Sequence, residues 1–386
     1  MKPSALPLSV GIFMLALFAC VPPAPPQGGV AAPPSSGAAV CSVDTFLSKV
    51  HYLAQTSPPF SLPTSGFQNA PPIDPTQINA TISQDLTDAF NTAPDFFRNQ
   101  LCKLTGVYID RTGCSSYDPS SCSGSDDPSA RLWGFRAFDS SGNSAGEFVG
   151  TWLGLWQKGV GGHAPVFSKF ETGRLQALLN WTPSNSQHPP VHDIAQPDTV
   201  AMTVLAVLAH EVGHIFWYDA FVITSDGRPN PGGPADFGKF CGGTFYEPAG
   251  VGPLGSWLLP PSVPDQRWVS FGLPRNYHKA DDVDMTKLGF NLDHGTFPEA
   301  GDLLHLIYSG VQNGRWASAL AAFSTDEDFV ETFQLYVLMH ARTPLLHSQV
   351  IIFGTAGRRY VEDIPATFNH KPELVRKSAC FDYLIH

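Results

Sequence analysis

Along most of the chain, apolar residues recur either every three or four positions or in short runs of β type, and these two periods separate predicted helices from predicted strands. Val43 to Gln55 and Ile78 to Leu104 carry the helical spacing, the second broken at Pro94, and predict a helical packing layer. From Gly106 to Leu155 the pattern changes to short runs (Val107 to Ile109, Leu132 to Phe138, Glu147 to Trp152) divided by Gly, Ser, Asp and Pro, which predict a small antiparallel-rich sheet. Phe170 to Leu179 predicts a short helix. Thr199 to Val222 is the longest helical stretch; it opens at Pro197 or Asp198 and is apolar on nearly every side, which places it in the protein centre. Residues 225 to 300 are dense in Pro and Gly without a period and predict a long irregular insertion. Gly301 to Gly310, Arg315 to Phe323, Asp326 to Met339 and Pro372 to Leu384 return to helix, so the class is α+β with a mainly helical C-terminal part.

The first forty residues follow other rules. A short apolar stretch from Val10 to Phe18, preceded by Lys2, is too brief to span a bilayer and reads as the core of a signal peptide over 1–20. Leu17-Phe18-Ala19-Cys20 resembles a bacterial lipobox, which implies cleavage before Cys20 and acylation of its thiol and amine; an ordinary signal peptide cut near Ala19 is the alternative. Residues 21–40 hold six prolines among Ala, Gly and Ser with no charge, the composition of an extended tether. The remaining 41–386 is expected to be one domain. Its parts are a helical N-terminal segment (41–105), the sheet and central helix (106–222), the insertion (223–300) and a helical segment (301–386).

Composition narrows the classes. With 43% hydrophobic, 12% aromatic and only 15% charged residues, the 386-residue chain is folded and apolar, since soluble domains average about 25% charged. Lys and Arg number 23 against 34 Asp and Glu, a net charge of −11 that argues against a nucleic-acid partner. Apart from Cys20 the cysteines are Cys41, Cys102, Cys114, Cys122, Cys241 and Cys380, an even set that in an exported chain predicts three disulfides, with Cys114 to Cys122 as the local pair.

The chemistry lies in the central helix, at His210-Glu211-Val212-Gly213-His214. Residues four apart on a helix lie about 40° apart in azimuth and one turn apart in height, so both imidazoles can reach one Zn²⁺. Glu211 then projects beside them, in the position of the general base of a zinc hydrolase. As a purely structural pair in a buried helix, the histidines would leave Glu211 an unpaired buried charge. A third ligand is needed, and the metzincin continuation fails because Trp217 and Ala220 stand where Gly and His are required. Ser324-Thr325-Asp326-Glu327-Asp328-Phe329-Val330-Glu331 is the better source: of Glu327 and Glu331, four apart, one can bind the metal while the other orients a ligand histidine. A capping box, Ser324 with Glu327 or Thr325 with Asp328, competes for the same residues, and the second version leaves Glu327 for the metal. Glu247 is a weaker alternative ligand, and Asp219 a further hydrogen-bonding partner on the same helix. Asp281, Asp282 and Asp284 lack the pattern of a calcium loop, and His278, His294 and His305 lack ligand spacing.

In these two helices the chain resembles the gluzincin zinc peptidases. The Glu-Asp-Phe-Val-Glu-Thr-Phe segment is especially similar to the Glu-x-Phe-Ala-Glu helix of lethal-factor-like and related bacterial members. The resemblance implies a zincin-like catalytic domain with His210, His214 and Glu327 as zinc ligands, Glu331 supporting them, and Glu211 as catalytic base. It does not supply the oxyanion-stabilising group, because Leu320 stands where those peptidases often carry Tyr; Tyr308 is the leading candidate, with His305, Tyr336 and Tyr246 behind it. The expected function is an exported zinc-dependent peptidase of the bacterial cell envelope, acting on protein or peptide and held to the membrane by its lipid anchor, or else secreted. The rival is a non-catalytic envelope lipoprotein with a structural or relic zinc site.

Overall fold

The computed structural model describes residues 41–54, 70–123, 132–138, 144–178, 191–219, 297–309, 316–322, 325–368 and 370–385. Expectations on Cys20, residues 21–40, Cys241, Tyr246, Glu247, His278, Asp281, Asp282, Asp284 and His294 lie outside them. Cys41–His386 forms one unit.

The unit opens with α1 (Val43–Leu47), capped by the Ser42 side chain, and β1 (Val50–Leu53). The single helix expected over Val43 to Gln55 is therefore corrected: it ends after one turn, and Val50, Tyr52 and Leu53 are buried as a strand. After β2 (Ile73–Asp74) come α2 (Ala80–Thr92) and α3 (Asp95–Lys103), separated at Pro94, whose fixed φ suits the position just before a helix. Next are β3 (Gly106–Asp110), β4 (Trp133–Phe138), β5 (Ser144–Trp152), α4 (Gly154–Gln157) and α5 (Phe167–Leu178).

The first sheet has strand order β2-β1-β3-β5-β4, with β1, β3 and β5 parallel and β2 and β4 antiparallel additions at the edges. The expected antiparallel arrangement is thus corrected to a mixed sheet. The parallel β1–β3 pair follows from a helical crossover: α2 and α3 return the chain from β1 to β3.

α6 (Val200–Trp217) follows β6 (Val191–Gln196) and is capped by Thr199, not Pro197 or Asp198; the Thr199 side chain accepts from the Met202 amide at 3.2 Å. Asp198 instead accepts from the Ser168 amide and hydroxyl. α6 has the length and apolarity to cross a membrane, but most of it is buried inside the protein. β4 packs on one side of it so tightly that a Cβ on Gly134 would lie 1.9 Å from the Glu211 carbonyl oxygen. On another side packs α8 (Thr325–Met339), which follows α7 (Phe297–Ser309); here a Cβ on Gly213 would meet Val330 and Phe333 at 3.3 Å. Glycines at these two positions let a strand and a helix approach the metal-motif helix closely.

Between α7 and α8, residues 316–322 form bends and a single 3₁₀ turn, Leu320–Ala322, not the helix expected from Arg315. The C-terminal part is also less helical than expected. β7 (His347–Phe353) pairs with β6 on one side and with β8 (Arg359–Asp363) on the other in a second, antiparallel sheet, order β6-β7-β8, before α9 (Ile364–Phe368) and α10 (Pro372–Ile385). A mixed sheet, a small antiparallel sheet and the surrounding helices make the class α+β.

Candidate metal centre

Two turns of α6 and one of α8 build the centre. His210 and His214 stand one turn apart with ring centroids at 5.0 Å, and Glu327 faces both: His210 Nε2 lies 3.7 Å from Glu327 Oε2, and His214 Nε2 lies 3.8 Å from Glu327 Oε1. All three side chains are largely enclosed, 12, 16 and 17% exposed. One ligand atom from each falls within 4.8 Å of the others, so the group can hold a metal ion. A tetrahedral ion with ligand bonds of about 2.1 Å would space its donors by about 3.4 Å, and the carboxylate presents one oxygen to each imidazole, at 3.7 and 3.8 Å. The donor set, two imidazoles and a carboxylate, suits a first-row divalent ion.

Glu211 points into the same space. Its carboxylate is 2% exposed, Oε1 is 4.0 Å from His210 Nε2, and Oε2 has no hydrogen-bond partner among the described residues. Burial pushes its pKa up to about 7, against the pull of His210 and Arg174.

Behind His210 the structure places Glu331, with Oε1 2.8 Å from His210 Nδ1. It also brings in residues that the sequence did not single out. Arg174 of α5 donates to Glu331 at 2.7 Å and to Glu171 at 2.9 Å, and Ser318 Oγ donates to the second Glu331 oxygen at 2.6 Å. Burial would raise the Glu331 carboxyl, but Arg174 and His210 hold it far below the usual carboxylate range. Burial would lower His210, yet Glu331, Glu211 and Glu327 outweigh it and bring its pKa up to about 9. His214 goes the other way, well below its ordinary value, through burial and repulsion from His210. Arg174 has no local motif; only the fold carries it to Glu331, from 157 positions away in sequence.

The oxyanion candidates occupy other contacts. The Tyr308 hydroxyl accepts from the Ala319 amide at 3.0 Å, on the side of Glu171 and Glu331. Tyr336 donates to Asp382, and His305 stacks on Tyr360 with Nδ1 2.8 Å from Glu362. Asp219 pairs with Arg136 of β4, which also holds Glu147 at 2.5 Å, so it ties the end of α6 to the first sheet. Asp328, expected as a possible cap, is fully buried and receives Lys377 at 2.6 and 2.7 Å.

No family model matches the chain, and neither the curated proteins nor the solved structures contain a match to it.

Proposed function

We propose that the chain is an exported zinc-dependent peptidase in which His210, His214 and Glu327 hold the metal and Glu211 moves the protons. The observation that carries this reading is the meeting of the three ligand atoms with a buried carboxylate oxygen that has no partner among the described residues. A purely structural metal site has no use for such a group and would incur its desolvation without return. Zinc bound by this donor set would supply a Lewis acid for a peptide carbonyl and lower the pKa of water at the site. Glu211 Oε2 takes the proton from the attacking water and later delivers it to the leaving amine nitrogen. Burial of the carboxylate raises its proton affinity, the direction a general base needs to take and return a proton. The two histidines and Glu327 keep their positions throughout, and Glu331 holds the Nδ1 side of His210.

β4 packs against α6 at Glu211, and among the described strands it ends the order of the first sheet. An extended peptide added along such an edge would run past α6, which fits a polypeptide substrate. Action outside the cytoplasm agrees with the disulfides Cys41–Cys102 and Cys114–Cys122, and acylation of Cys20 would tether the enzyme to the envelope membrane.

The test is cleavage of unfolded-protein and peptide libraries by the zinc-loaded chain. Wild type should cut and lose activity with a chelator, while Glu211→Gln should retain zinc and lose activity by about 100- to 10,000-fold. Zinc-loaded wild type that leaves every library uncut, with a protein side chain in the fourth zinc position, would replace this reading with a non-catalytic envelope lipoprotein.

A further inference from the structure

A second layer of buried charge lies behind the three ligands, and the proposed proton transfers do not use it. Glu331 is 2% exposed and both of its carboxylate oxygens are engaged. Oε1 accepts from Arg174 Nη2 at 2.7 Å and lies 2.8 Å from His210 Nδ1, while Oε2 accepts from Ser318 Oγ at 2.6 Å. Arg174 is itself only 12% exposed, and its other terminal nitrogen binds Glu171 Oε1 at 2.9 Å. Three separate stretches of chain, α5, α6 and residues 316–322, therefore converge on one carboxylate of α8 whose plane cannot turn without breaking a bond. A guanidinium suits this place because its planar fork fixes the direction of two bonds at once, whereas an ammonium carries the charge without that geometry.

We infer that Arg174 is a positioning residue for the metal centre: it locks the Glu331 carboxylate so that His210 keeps Nδ1 on Glu331 and directs Nε2 toward Glu327. This rests on the reading of His210 as a metal ligand. The sign of the effect separates positioning from simple charge. A cation near a cation site weakens metal binding by repulsion, so a purely electrostatic Arg174 predicts tighter binding when it is removed. A positioning Arg174 predicts looser binding, since outer partners of metal-bound histidines typically contribute 10- to 100-fold in affinity.

The experiment measures zinc affinity by competition with a chromophoric chelator, and the visible spectrum of the cobalt-substituted protein. Full-length wild type is compared with Arg174→Met, Arg174→Lys and Ser318→Ala. Arg174→Met should bind zinc about 10- to 100-fold more weakly with an altered cobalt spectrum. Arg174→Lys, with the charge restored and the fork lost, should recover only part of the affinity, and Ser318→Ala should show a smaller loss of the same kind. Wild-type or tighter affinity with unchanged spectra in the Arg174 variants overturns the inference while leaving the metal centre standing. If Arg174→Met does not fold by near-ultraviolet circular dichroism, Arg174→Lys and Ser318→Ala decide: a loss in both supports positioning, and wild-type affinity in either overturns it. Wild type that binds neither ion overturns the metal reading and this inference together.

Discussion

Glu171, Glu211, Glu327 and Glu331 surround one guanidinium, Arg174, and two imidazoles in a space closed to solvent on most sides. Such an acidic excess has to be offset by protons or by a metal cation. In the metal-free protein protons do it: His210 is held up to about 9 and Glu211 up to about 7. A metal ion therefore competes with a proton on His210, and the linkage has a definite sign. Near pH 8, between these two values, metal binding should release close to one proton, and the apparent affinity should weaken about tenfold for each pH unit of acidification, more steeply below pH 7 where Glu211 also carries a proton. Titration calorimetry in buffers of different ionisation enthalpy measures that proton. No release at pH 7 would mean that His210 is already neutral or is not a ligand. This part of the molecule was the most legible in the sequence, because a histidine pair four residues apart fixes its own geometry on any helix. Arg174 and Ser318 were not legible, since no local pattern distinguishes an arginine bound for a buried carboxylate from one on a solvated face.

At the scale of elements, the centre depends on how α8 presents Glu327 to α6. The neighbouring residue, Asp328, points elsewhere on the helix and forms a fully buried ion pair with Lys377 of α10. Removing one member of such a pair strands the other charge, and Lys377→Met should lower stability by about 3–5 kcal/mol. The double variant Asp328→Leu with Lys377→Met should recover most of that loss, and both should keep wild-type zinc stoichiometry. Urea denaturation of wild type, Asp328→Leu, Lys377→Met and the double variant checks the cycle; additive losses in the double variant would contradict the pairing. The elements themselves were read unevenly. Pro94 marked the break between α2 and α3, and the long apolar pattern before His210 marked α6. β1 was missed because apolar residues from Val43 onward satisfy a helical spacing as well as a strand's. β7 was missed because a short apolar run such as Val350 to Phe353 carries no period of its own, and only pairing with β6 and β8 makes it a strand.

For the molecule as a whole, the covalent ties bear on both stability and compartment. Cys41–Cys102 joins the start of the folded unit to α3 across 61 positions, while Cys114–Cys122 closes a turn of only 8. In the chain-entropy model the longer loop contributes about 4 kcal/mol and the shorter about 2.5 kcal/mol. Cys41→Ala with Cys102→Ala should therefore lower the thermal midpoint more than Cys114→Ala with Cys122→Ala. The reverse order would mean that the local turn, not the long tie, holds the unit together. The local pair could be expected from Asp118-Pro119 between its cysteines, whereas Cys41 and Cys102 meet only because α1 and α3 pack side by side. The class α+β was legible in the alternation of periods; the mixed order of the first sheet was not, since it depends on crossovers between distant segments.

The central claim is that two turns of α6 and one of α8 make a single metal site, and zinc stoichiometry by equilibrium dialysis tests it most directly. The purified chain and its Glu211→Gln variant should each bind one zinc. His214→Ala and Glu327→Ala should bind none at the same free zinc, with folding checked by circular dichroism. Zinc retained in full by folded Glu327→Ala, or absent from wild type, would contradict the account.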